Sequence, residues 1–166
     1  MSNVLIGIIG VILFIGLALA GALFLGPRFQ ESTNNSKAAM AVQGVSQIAS
    51  AIQLRNLNEG SSLPSSASIQ TDLVNAGYLK AVPKNPSGTA STYLADGGGG
   101  QTSSPIVYII MPLAVEGGAK EICAAAVKQT RMTADGSIPS GVNGPTHPVG
   151  CTDNGGGLYT VYTRIG

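Results

Sequence analysis

Charge is the first thing this sequence lacks. Only 10% of its 166 residues are charged, although 44% are hydrophobic; ordinary globular proteins carry about 25% charged residues. A deficit that large is not explained by one apolar segment. The soluble part is polar through Ser, Thr, Asn, Gln and Gly instead. Such surfaces suit stacking against copies of the same chain, because few like charges are brought together, and they also occur on plain extracellular proteins. With 9 basic and 8 acidic residues the net charge is +1, and neither a basic patch suited to nucleic acid nor an acidic tail is present. Tryptophan is absent, and histidine occurs once, as His147 in the loop Pro145-Thr146-His147-Pro148. A lone loop histidine reads as a solvated side chain. A four-ligand zinc site built from it and two cysteines would need a carboxylate as well, and no C-x2-C spacing supports one. A Cys–His nucleophile pair of His147 with Cys123 or Cys151 is formally possible but weakly supported, because Cys151 sits only four residues from His147, in a loop rather than on a rigid frame. The carboxylates from residue 59 onward, Glu59, Asp72, Asp96, Glu116, Glu121, Asp135 and Asp153, are scattered, without the flanking of a hydrolase pair. Gly117-Gly118-Ala119-Lys120 lacks the rest of a phosphate-loop pattern. Nothing in the sequence calls for an enzyme, a cofactor or a metal.

What is present begins almost at once. Val4 to Leu25 reads VLIGIIGVILFIGLALAGALFL, twenty-two residues without a charge. At about 1.5 Å per residue this is roughly 33 Å of helix, enough to cross the hydrocarbon core of a bilayer. A secretory signal has a shorter apolar region, about 7 to 15 residues, behind basic ones. Here only Met1, Ser2 and Asn3 stand upstream. Gly7, Gly10, Gly16 and Gly21 fall inside the run, each costing up to about 1 kcal/mol relative to Ala in a water-exposed helix. Ordinary glycine tolerance in membrane helices accounts for them in the plainest reading. The reading preferred here is that they allow close helix–helix approach, as in Gly16-x-x-x-Ala20, and local unwinding near Gly16 or Gly21.

Gly26 and Pro27 follow, and a proline kinks or ends a helix. Yet from Asn35 to Asn58 there is no further proline and one glycine, Gly44. Ala38, Ala41, Val45, Ile48 and Ile52 recur at spacings of 3 and 4, one face of a helix. Gln43, Gln47, Ser50 and Arg55 lie mostly off that face. The expectation is one long helix kinked at Gly26 and Pro27, apolar all round in its first half and amphipathic in its second. The chain then divides into an apolar helix over 1–27, an amphipathic continuation over 28–58 and a globular head over 59–166.

In the head, Ser68 is a candidate N-cap for a short helix from Ile69 to Ala76 that Gly77 closes. Pro83 and Pro86 impose an extended path. Tyr93 and Leu94 suggest a short strand, and Gly97 to Gly100 a turn. Ile106 to Met111 is apolar without alternation, a strand expected to be buried on both faces. Ala119 to Gln129 carries a helical stripe of Ile122, Cys123, Ala126 and Val127. Asp135 to Gly157 reads as a glycine- and proline-rich loop. The end, Leu158 to Ile165, is β-branched and aromatic and reads as a strand with Tyr159, Val161, Thr163 and Ile165 on one face. The class is α+β, a long helix packed on a small antiparallel-sheet head with short helices. Cys123 and Cys151 sit in a part expected to lie outside the cytoplasm, which favours a disulfide over two free thiols. Closing 27 intervening residues is worth about 3 to 4 kcal/mol in the chain-entropy model.

This order of parts resembles a mature type IV pilin, and more specifically the type IVb pilins of conjugative thin pili and of the toxin-coregulated pilus. The sharpest local match is Asp72-Leu73-Val74-Asn75-Ala76-Gly77-Tyr78-Leu79-Lys80 with Val82-Pro83-x-Asn85-Pro86, similar to the segment those pilins carry after the long helix. Cys123 and Cys151 match the family's disulfide-bounded C-terminal region. The layout covers essentially the whole chain, the sharp motifs few residues. The resemblance implies the pilin fold and a structural subunit. A peptidase removes a short basic leader from a prepilin in the inner membrane. An ATPase-driven machine then draws subunits into an extracellular fibre whose core is the packed apolar helices. It also implies Met1 as the mature N-terminus, commonly N-methylated in the family, with Gly7 or Gly10 as less suitable cleavage sites. The departure is at position five. The family usually has glutamate there, and here it is Leu5, which leaves Asn3 as the nearest polar side chain for the terminal amine. A minor pilin or secretion pseudopilin is the alternative within the family. A single-span membrane protein with a ligand-binding periplasmic head is the alternative outside it. What a fibre would touch (adhesion, self-bundling, mating contact, DNA uptake or phage) would be set by loops such as those around Gly97 and Asn143.

Overall fold

The computed structural model describes residues 2–63, 68–84, 86, 93–96, 106–112, 118–141 and 147–165. Two compact units divide the chain, Met1–Thr33 and Asn34–Gly166. Together they give an α+β architecture of a long N-terminal helix, a short second helix and an antiparallel sheet. The expected turn at Gly97 to Gly100, the chain start at Met1 and the loop around Asn143 lie outside the described residues.

Helix α1 runs Ser2–Glu59 and its helical assignment is unbroken through Gly26 and Pro27. The proline therefore does not end the helix. It removes one N–H, and the turns beyond carry on; Thr33 Oγ1 donates back to the Phe29 carbonyl at 2.9 Å, a local bond that Ser and Thr often make inside helices. The helix stops at Gly60, whose φ of +65° is a left-handed value suited to glycine, with Gly60 N–H donating to the Asn56 carbonyl. Arg55 and Glu59 pair across the last turn at 2.5 Å.

Within the second unit, Ala38, Ala41, Val45, Ile48 and Ile52 are fully buried, while Gln43, Gln47 and Ser50 face solvent. The face is wider than the stripe of five, since Ala49 and Ala51 are buried too. Each large aliphatic chain here contributes about 1.5 to 3 kcal/mol on leaving water. Leu63, Ile69 and Leu73 join the same core from the segment after α1. The sequence predicts a helix from Ile69 to Ala76 in that segment. It holds a single π turn, Gln70–Val74, with Asn75 N–H reaching back five residues to the Gln70 carbonyl. Its start is clamped reciprocally. Ser68 N–H donates to Asp72 Oδ2 at 2.6 Å, and Ser68 Oγ accepts from Thr71 N–H at 3.4 Å. Its end is Gly77 at φ +84°, after which Tyr78 and Leu79 both donate to the Leu73 carbonyl. The wide turn is the compact alternative to a longer helix, and it drives Leu73 fully into the core.

The sheet has four strands in the order β1-β2-β4-β3, all antiparallel: β1 Tyr93–Asp96, β2 Ile106–Pro112, β3 Val149–Asp153 and β4 Leu158–Arg164. Helix α2, Ala119–Thr130, packs on β3 and β4. The expected burial of Ile106 to Met111 concerns side chains outside the described residues. One expectation is corrected: the stretch Asp135 to Gly157 is not all loop, because β3 lies inside it. Val149-Gly-Cys-Thr-Asp has too short a pattern to stand out from the glycines around it. It becomes a strand by pairing with β4 and by its covalent tie to α2. Its outer edge is partly covered, since Asp153 N–H donates to the Pro139 carbonyl and Gly141 N–H to the Asp153 carbonyl.

Paired residues on antiparallel neighbours point to the same side. Cys151 pairs with Val161, so those two share a face with Tyr159 and Thr163, and Cys151, Tyr159 and Val161 join the core that also holds residues of α1 and α2. Gly150, Thr152, Thr160 and Tyr162 take the other face, and Thr152, Thr160 and Tyr162 are buried there as well. The C-terminal strand is thus covered on both sides.

Candidate functional site

Among the described residues of the head, the polar and sulfur groups named below make structural contacts. Cys123 and Cys151 form a disulfide with Cα atoms 5.5 Å apart, both residues fully buried. Neither sulfur is available as a thiolate nucleophile or a metal ligand. His147 Nδ1 lies 2.7 Å from the Val149 carbonyl and donates to it, a local tie at the start of β3. Among the described residues no group of three His, Cys, Asp or Glu side chains is placed to hold a metal ion. Asp135 accepts from Ser137 Oγ at 2.7 Å and from Ser137 N–H at 3.0 Å, and these bonds hold its carboxyl below the usual carboxylate pKa. It anchors an exposed turn.

Several contacts had no visible signal in the sequence. Gln129 Nε2 donates to the Asn35 carbonyl at 2.9 Å, tying the end of α2 to the head part of α1. Helix α2 ends with Met132 N–H on the Val127 carbonyl and Arg131 N–H on the Lys128 carbonyl. This is the double C-cap that normally carries glycine at its left-handed position. Here the residue is Arg131 at φ +51°. Met132 then covers Gly150, where even a methyl group would collide with its sulfur, and receives the Tyr162 hydroxyl at 3.7 Å. Burial of that phenol pushes its pKa up to about 12. The only hint in the sequence was the glycine opposite a large aromatic, which becomes legible once the β3–β4 register is known.

The exceptional feature of the molecule is the surface of its first unit. All thirteen large apolar side chains described between Val4 and Leu23 are at least 50% exposed. Exposure runs through consecutive positions, so the apolar surface encircles the helix and does not form a stripe. Transferring these chains from water to an apolar surrounding is worth roughly 12 to 25 kcal/mol, comparable to or larger than the whole stability of a typical domain, about 5 to 15 kcal/mol. Surfaces this apolar mark membrane or protein contact. The helix is long and apolar enough to cross a membrane.

The sequence-selected residues distribute as follows. Leu5 is exposed apolar surface, 62% accessible. Gly7, Gly10, Gly16 and Gly21 are open notches, with no atom within 4 Å of where a Cβ would stand. Ala20 is exposed one helical turn from Gly16. Gly26 is exposed, and the backbone of Pro27 is helical. The backbone of Asn3 is helical too, while its side chain and the whole of Met1 fall outside the described residues. Comparison with family models, with curated proteins and with solved structures returns no match to this chain.

Proposed function

We propose that this chain is a structural subunit that polymerises, through packing of its N-terminal helices, into a type IV, IVb-like filament on a bacterial surface. The observation that carries this reading is α1 itself. One helix has a fully apolar, fully uncovered surface over Val4–Leu23 and then becomes the buried spine of a disulfide-closed head. An element of that kind needs an apolar surrounding for its first half. The inner membrane provides it for the unassembled subunit, and copies of the same helix provide it in the fibre. The low charge of the chain eases close approach of many copies, since few like charges meet. The open glycines, with Gly16-x-x-x-Ala20 as the clearest pair, let backbones come near each other. The order of parts that resembles the type IVb pilins supports the same reading. On it the partners are the chain itself, a prepilin peptidase and a pilus-assembly machine, and the amine at Met1 is satisfied without an acid at Leu5.

Electron microscopy and mass spectrometry of material sheared from expressing cells test the proposal. Filaments composed mainly of this chain are expected. Trace incorporation into filaments of another chain would make it a minor pilin or pseudopilin. Recovery only in detergent extracts, never in fibres, would refute assembly and leave a membrane-anchored protein.

A further inference from the structure

The β3–β4 hairpin turns on Asn154-Gly155-Gly156-Gly157, and its three glycines all have φ between +63° and +79°. Asparagine followed by glycine is the dipeptide most prone to cyclise, because glycine offers no side chain to hinder its own N–H. Here the groups that would react are all engaged. Asn154 Nδ2 donates to Thr160 Oγ1 at 2.7 Å, and its Oδ1 accepts from Thr152 Oγ1 at 3.5 Å. Gly155 N–H, the nucleophile, donates to Asp153 Oδ1 at 2.8 Å. The backbone around them is closed by Asn154 N–H on the Leu158 carbonyl and Leu158 N–H on the Gly155 carbonyl. Thr152 and Thr160 are buried and paired across the strands, so they cannot follow the side chain outward.

We propose that Asn154 is a latent site of spontaneous modification, a succinimide-forming asparagine that the folded hairpin holds closed. In the open chain, the Gly155 nitrogen attacks Asn154 Cγ. A new C–N bond forms, the Cγ–Nδ2 bond breaks, and ammonia leaves with the proton from Gly155. Water then adds across either imide C–N bond, giving aspartate or isoaspartate at position 154. No oxidant or other co-reactant is required. Isoaspartate lengthens the main chain by one carbon, which the closed turn from Asn154 to Leu158 cannot accommodate, and either product adds a negative charge beside Asp153. The hairpin's hydrogen bonds therefore guard against a chemical change that accumulates with the time this end of the head spends open.

The test compares full-length protein in detergent under native, oxidised conditions with the same protein in urea and reductant. Both are held at mildly alkaline pH, and conversion at Asn154 is followed by tandem mass spectrometry, resolved from the other Asn-Gly pair, Asn143-Gly144. Native protein is expected to convert at least about tenfold more slowly, as for a group that reacts only from a locally opened state. T160V, which removes the acceptor of the Asn154 amide, is expected to speed native conversion several-fold, its folding checked by circular dichroism. A native rate equal to or above the unfolded rate overturns the proposal, whatever T160V does. So does a folded T160V whose rate matches that of the parent.

Discussion

Breaking the Cys123–Cys151 bond should destabilise the head by an amount its position in the chain sets. The two residues are separated by 28 positions. The chain-entropy relation then gives about 3.6 kcal/mol of stabilisation through the unfolded state. The unit that melts spans Asn34–Gly166. At about 2.1 cal/mol/K per residue its unfolding entropy is about 280 cal/mol/K, so the loss corresponds to a fall in Tm of about 13 °C. The assay is circular-dichroism melting of the protein in detergent, oxidised against the double variant Cys123→Ala/Cys151→Ala. Because both sulfurs are fully buried, truncating them also leaves a small cavity, and the observed fall should be at least that large. Reduction should also be slow at temperatures where the head stays closed and accelerate near the melt, as access to the bond requires opening. A double variant that melts within about 3 °C of the parent would refute the entropic reasoning.

Other outcomes follow from particular positions. Ile48→Ala, at a fully buried site on α1, should cost the head about 2 to 5 kcal/mol in denaturant titration, while exposed Gln47→Ala should stay within about 0.5 kcal/mol. Arg131→Gly should stabilise the head by about 1 kcal/mol, because the left-handed φ of +51° is free of strain only for glycine; Arg131→Val should do the reverse. Tyr162 gives an alkaline limit. Its pKa is raised by burial to about 12, so the unfolded chain loses the phenolic proton first, from its ordinary value of 10.0. Its contribution to stability is fully present below pH 10 and is lost between 10 and about 12, by up to about 1.4 kcal/mol per pH unit. Tyr162→Phe should flatten that slope in melts taken across the range.

Much of the architecture could be read along the chain. Val4 to Leu25 announces an apolar helix by length and composition alone, because a charge-free run of that size has few other uses. Ala38 to Ile52 announces the buried face by period. Helix α2 and β4 are written in their own residues, the first as a helical stripe and the second as β-branched and aromatic chains. Gly26-Pro27 reads as a kink with the helix continuing beyond it, and α1 does run on through both residues. Harder cases were those where a local pattern competes with partners far away in sequence. Ile69 to Ala76 looks like an α-helix, yet a π turn seats Leu73 in the core.

By itself, then, the sequence determined the division of labour along the chain. A segment too apolar for water is followed by an amphipathic one and a low-charge head, because solvent preference is a property of residues and needs no partner to be read. Only the tertiary structure decided which groups meet. It made Val149–Asp153 a strand by giving it β4 to pair with, brought Cys151 under α2, placed Met132 against Gly150 and Tyr162, and drew the Asn154 amide onto Thr160. Those contacts depend on strand register and on the path of loops, which follow from the packing of the whole head and leave no trace in local composition.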